Sequence, residues 1–153
     1  MLQDSITIQG YVVRKVTYRD GKTECDSFSN TVLATARIAG AASLVSKEPL
    51  FVTHMLFGDG GTENQQVKNV ISHQEWLNGV TRAKKEVTAQ VNPEMPTEAI
   101  FTAALDYEDA NGSNINEMGL LTNTGQLYCM ATFPDMGKTE GVRIDWDWHV
   151  LFV

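Results

Sequence analysis

Most of what this chain tells the reader comes from shortages. Only two cysteines, Cys25 and Cys129, occur in 153 residues. Each falls in a strand-like stretch with no partner at metal-ligand spacing, so both read as small buried or half-buried thiols. A disulfide between them requires Cα atoms within about 7 Å, a condition on the fold rather than the sequence. Of the three histidines, His54 and His73 stand alone. Without a Cys/His pair, a zinc spacing or a Gly-x-Ser-x-Gly turn, nucleophilic and metal catalysis lack support. No segment reaches the ~18 consecutive apolar residues of a membrane span. The start, Met1-Leu2-Gln3-Asp4-Ser5, lacks the basic and apolar regions of a secretion signal, so synthesis and solubility in the cytoplasm are expected. Positive charge is also short: 12 Lys and Arg against 19 Asp and Glu leave a net charge of −7. An acidic body repels phosphate backbones, which excludes general nucleic-acid binding. No internal repeat or low-complexity tract occurs.

What is present is an ordinary globular composition, 42% hydrophobic and 20% charged, of a length that suits one domain. The final segment from Val142 to Val153 is the most informative. Val142, Ile144, Trp146, Trp148, Val150 and Phe152 alternate with Arg143, Asp145, Asp147 and His149. Side chains on a strand point to opposite faces in turn, so this is a long strand with one apolar face, paired inside a sheet. Ile6 to Ser29 reads as a hairpin around Arg19-Asp20-Gly21-Lys22, because Asp-Gly tolerates the positive φ of a tight turn. Ser29 or Asn30 then caps a long helix over residues 30–47, apolar nearly all round and therefore expected to be buried on more than one side. Leu50 to Phe57 reads as a central strand, apolar on both faces.

Residues 62–81 read as a long polar excursion with one helical turn, anchored by Val67, Val70, Ile71, Trp76 and Leu77; connections of that length often contact something. Strands are expected over Arg82–Val91, Ala99–Tyr107, Ile115–Thr122 and Gln126–Phe133, separated by turns at 92–96, 109–112 and 123–125. The chain is thus expected to be mainly β (α+β). It would form an antiparallel sandwich or open barrel, with an N-terminal hairpin, one long apolar helix and an antiparallel meander over residues 50–153.

Candidate chemistry is sparse. Asp145, Asp147 and His149 share one face of the last strand, where carboxylates beside a histidine can bind a metal or exchange protons. Residues two apart on a strand lie roughly 6–7 Å apart and need a further ligand, so a solvated face is the better reading. Asp59-Gly60-Gly61-Thr62-Glu63 offers oxygen donors in a glycine-rich loop, as calcium sites do, but fits no EF-hand spacing. Asp106, Glu108 and Asp109 form a second acidic cluster beside a turn. Trp76, Trp146 and Trp148 could provide a platform for sugars, or anchors in a core or subunit interface. No cofactor is implied.

One resemblance emerges from the order of short motifs. Asn30 precedes an apolar helix containing Arg37. Met55-Leu56-Phe57-Gly58-Asp59-Gly60 follows. Later come Asn116-Glu117-Met118-Gly119-Leu120-Leu121, Gly125-Gln126-Leu127-Tyr128 leading to Phe133, Lys138, and a closing strand with Trp146 or Trp148. Over about residues 28–153 this order resembles bacteriophage tail and baseplate structural proteins, including the N-terminal regions of tail-collar fibre proteins. The resemblance implies a non-enzymatic virion component that forms homo-oligomers, trimers foremost, and docks to other virion proteins. The chain has no fibre shaft or receptor-binding tip, which favours an adaptor, baseplate or capsid-decoration role. Leu33, Leu44, Trp76, Trp146, Trp148 and Phe152 are then the candidate interface residues. Glu117, costly on a strand if buried unpaired, is expected to find Lys138 or Arg143. The alternative outside that class is a small sandwich binding carbohydrate or calcium through Trp76 and the acidic loops.

Overall fold

The computed structural model describes residues 5–153. The segment Met1–Asp4, on which the expectation of no secretion signal rests, lies outside them. Two five-stranded antiparallel sheets pack face to face. The chain runs β1 (Ile8–Tyr18), β2 (Thr23–Ser29), β3 (Thr31–Val32), α1 (Ala34–Ser46), β4 (Val52–Gly58), β5 (Thr62–Glu63), β6 (Gln66–Val67) and β7 (Thr81–Glu86). It continues through β8 (Thr88–Asn92), β9 (Met95–Leu105), β10 (Asn114–Thr122), β11 (Leu127–Gly137) and β12 (Val142–Phe152). The first sheet has the order β2-β1-β12-β9-β8 and the second β3-β11-β10-β4-β7, with β5 and β6 forming a small separate hairpin.

The expected closing strand is the centre of the first sheet. β12 lies between β1 and β9, with Trp146 opposite Arg14 and Ala103, and Trp148 opposite Val12 and Phe101. Its inward row, Ile144, Trp146, Trp148 and Val150, packs on Met55, Phe57, Met118 and Phe133 of the second sheet. Both tryptophans have no exposed surface, and neither indole N–H has an acceptor among the described residues. Burying such a side chain is worth roughly 4–6 kcal/mol on the area scale. The unmet N–H takes back about 1–3 kcal/mol, so burial wins. Trp146 and Trp148 are core residues, which corrects their assignment as interface anchors.

The N-terminal hairpin forms as expected: Gly21 takes φ 91° and the Tyr18 N–H donates to the Lys22 carbonyl at 2.8 Å. The meander forms in part. β8 pairs with β9 and β10 with β11, but β10 also pairs with β4 and β12 with β1 and β9, so the chain crosses between the sheets after β7, β9 and β11. The single strand expected over Arg82–Val91 is broken at Val87, leaving β7 in the second sheet and β8 in the first.

The helix also differs. It starts at Ala34 rather than residue 30, because Thr31 and Val32 pair with Met130 and Cys129 as β3. It is short, only Ala36 in it is buried, and Ile38, Leu44 and Val45 are exposed. One side of the second sheet is already covered by the first sheet, so a helix on the other side has a single face to bury. Cys129 is buried and Cys25 exposed, and both are free thiols. Trp146→Ala removes one of the two largest side chains between the sheets and should cost about 3–5 kcal/mol, read from urea denaturation; a loss under ~1 kcal/mol would contradict its placement in the core.

Candidate functional site

The second sheet has a second apolar side. Leu56, Leu121, Leu127 and Met130 face away from the sandwich and are covered by Leu33, Leu77 and Val70. Leu77 and Val70 belong to the 62–81 excursion. Val67, Ile71 and Trp76, expected as anchors, are exposed instead. Apart from the β5–β6 hairpin, no regular element occurs in the excursion, and the expected helical turn is absent. Its place is set by backbone hydrogen bonds to two side chains of β10.

Glu117 is wholly buried. Its Oε2 accepts the Gly60 and Gly79 N–H groups at 2.7 and 2.8 Å, and its Oε1 accepts the Asn78 N–H at 2.7 Å. The neighbouring Asn116 Oδ1 accepts the Gly61 N–H at 2.7 Å, while its amide donates to Thr62 Oγ1 and Asp135 Oδ1. A carboxylate that accepts several N–H bonds has its oxygens satisfied without a cation. Gly60 and Gly79 make this possible, since a Cβ on Gly60 would fall inside the Gly79 backbone. The expected ion pair of Glu117 with Lys138 or Arg143 is therefore wrong. Lys138, also buried, donates to the Asn111 side-chain oxygen at 3.0 Å and the Thr139 carbonyl at 2.9 Å. Arg143 pairs with Asp106 and Asp145 at 2.8 and 3.1 Å.

The glycine-rich loop is likewise committed. Asp59 accepts the Val80 N–H and pairs with Arg82 at 2.6 Å, so its carboxylate is already engaged within the chain. Burial pushes Asp59 up, but Arg82 and the Val80 N–H outweigh it and hold the carboxyl below its ordinary 3.8. The Lys85 ammonium holds Asp109 below that value too. On the outer face of the first sheet, Asp145, Asp147 and His149 share a face, but Asp145 and His149 go to different partners. Asp145 meets Arg143, while His149 bonds to Glu98 and stacks on Tyr11 with ring centroids 4.5 Å apart. No group of three His, Cys, Asp or Glu side chains among the described residues could hold a metal.

The candidate interface residues divide. Leu33 is buried with Leu56, Leu127 and Met130 on the far side of the second sheet, and Trp146 and Trp148 are buried between the sheets, whereas Leu44 is 87% exposed and Trp76 and Phe152 are half-exposed. Sequence reasoning missed Ile38 and Val45, at 66% and 82% exposure, which with Leu44 leave three large apolar side chains of α1 in water. The signal was there, in a segment apolar nearly all round, which points to cover on more than one side, by this chain or by a neighbouring subunit, without saying which side chains stay exposed. Comparisons with protein-family models, curated proteins and solved structures give no match.

Two outcomes test this geometry. Glu117→Gln turns an NH₂ group toward backbone donors and should lower stability by about 1–3 kcal/mol in urea denaturation, with Glu117→Ala, which orphans all three N–H groups, costing more. Carboxyls whose folded pKa is depressed, such as Asp59 and Asp109, add stability above their unfolded pKa and lose it as pH falls through the folded value. The melting temperature should therefore be held above about pH 5 and fall below about pH 4; no fall by pH 3 would show that these pairs contribute nothing.

Proposed function

We propose that this chain is a non-enzymatic bacteriophage virion structural protein, of tail, baseplate or fibre-adaptor type, that acts by self-assembly and by docking to other virion proteins. The observation that carries this reading is the exposed apolar side chains of α1. Ile38, Leu44 and Val45 stand in water on a helix that buries only Ala36. Large apolar side chains left exposed on one short helix favour a partner, with about 25 cal/mol gained for each Å² covered. A net charge of −7 opposes indiscriminate association, so contact is confined to a matched patch such as this one.

The resemblance supports the class of protein. Two of its motifs, Phe57-Gly58-Asp59-Gly60 and Asn116-Glu117-Met118-Gly119-Leu120, touch one another through the Gly60 N–H and Glu117. Motifs in such contact have a physical reason to occur together. They fix a scaffold rather than a reaction, which suits a structural component. Closed assembly is what the symmetry of homo-oligomers favours, and the resemblance puts a trimer foremost.

Light scattering after size exclusion, at low and moderate salt, should give a trimer or larger ring. The double variant Ile38→Glu/Leu44→Glu should shift it to monomer with the melting temperature nearly unchanged, because both side chains are exposed in the single chain. A wild-type monomer at every concentration, without affinity for phage particles, would refute the proposal.

A further inference from the structure

We propose that the end of the sandwich between β4 and β12 is a binding site for a neutral apolar small molecule carrying one hydrogen-bonding group. This inference is independent of the virion reading. A cavity of about 390 Å³ opens there, with walls from both sheets. Its origin lies in the side chains along the inward face of the first sheet. On β12 and β9 the facing pairs run Ile144 with Leu105, Trp146 with Ala103, Trp148 with Phe101 and Val150 with Ala99. The tryptophans fill the middle. Beyond them come Ala99 and, beside Phe101 on β8, Ala89. These two small residues leave the inter-sheet space at that end unfilled, while Phe51 and Phe152 stand at its rim, each about half-exposed.

The chemistry of the lining selects the ligand. It contains no charged side chain. A carboxylate or ammonium would thus lose its water without a counter-ion, and a sugar would bury hydroxyls without partners, at about 2 kcal/mol or more for each. Two hydroxyl groups border the space. Thr122 Oγ1 is already engaged with Thr124 Oγ1 and the Gln126 carbonyl, at 2.7 and 3.0 Å. Tyr128 has no hydrogen bond to another described side chain, and burial pushes its phenol up. It is the one polar group left to meet a ligand.

Size selects against a single inserted side chain. An apolar cavity of about 150 Å³ holds a benzene, so one phenylalanine ring would leave more than half of this space empty. The volume lies instead within the roughly 300–1,000 Å³ of small-molecule sites.

The test is a titration with 1-octanol, followed by melting temperature and by backbone amide NMR, with octanoate as the charged control. 1-Octanol should stabilise the wild type and shift the amide signals of Ala99, Phe101 and Val150. Octanoate should bind at least tenfold more weakly. Ala99→Phe, which fills the cavity, should bind 1-octanol at least tenfold more weakly. Tyr128→Phe, which keeps the shape and removes the hydroxyl, should bind it about three- to tenfold more weakly. If Ala99→Phe does not fold, Ala89→Phe fills the same space from the neighbouring strand and is read in its place. The proposal is overturned if the wild type binds no 1-octanol in either its assembled form or as Ile38→Glu/Leu44→Glu, if octanoate binds equally, or if the filling variant binds unchanged.

Discussion

The buried carboxylate of Glu117 is the constraint on which the back of this molecule depends. A charge removed from water without a cation must be surrounded by donors, and on β10 the nearest donors are the backbone N–H groups of Gly60, Asn78 and Gly79. Holding those three draws both ends of the excursion onto the second sheet. Leu77 and Val70 are then in position to cover Leu56, Leu121 and Leu127. The same excursion supplies the Ser72 carbonyl, which accepts the Ala34 N–H at 2.6 Å and so fixes the first turn of α1. A helix start without a side-chain cap is stabilised by a loop that is itself held by a carboxylate.

The front of the molecule depends on packing instead. β12 is flanked on both edges by full-length partners, and its tryptophans occupy the space between the sheets. Toward one end, Arg14 lies over the rings of Phe28, Phe133 and Trp146 at 5.2 to 5.6 Å and pairs with Asp26 at 2.6 Å. Its guanidinium thus closes apolar rings against water while keeping a carboxylate partner outside. Toward the other end no such side chain is present, and the alanines of β8 and β9 leave the gap open.

The parts of this design that follow local rules were legible in the sequence. Strict alternation from Val142 to Phe152 announced a two-faced strand, Asp20-Gly21 announced a hairpin, and the run from Leu50 to Phe57 announced burial on both faces, which holds at Met55, Leu56 and Phe57 but not at Phe51. Sheet membership was not legible, because a strand's own residues do not say which neighbour supplies its hydrogen bonds; β10 pairing with β4 across more than fifty residues is a property of the whole fold. Glu117 was recognised as a residue that must be satisfied, but charged side chains were sought as partners. Backbone N–H groups from a glycine-rich loop are equally good partners and carry no sequence label except the glycines themselves. The apolar helix failed for a related reason: composition gives the amount of apolar surface and leaves open whether the same chain covers it.

That last point bears on why α1 has its composition. Thirteen residues with a glycine at position 40, no acidic side chain in the first turn and none basic in the last make a helix that would be marginal alone. Within the chain it is held at its N-terminus by Ser72 and by the burial of Leu33 and Ala36, and it ends at Lys47 in the left-handed conformation, φ 60°. Nothing among these contacts uses Leu44 or Val45. Polar residues at those positions would be cheaper for an isolated domain, since exposed apolar groups gain nothing from water. If a neighbour covers them, the same residues stabilise the last turns of the helix and the contact together, so that ordering of α1 and assembly become one thermodynamic event.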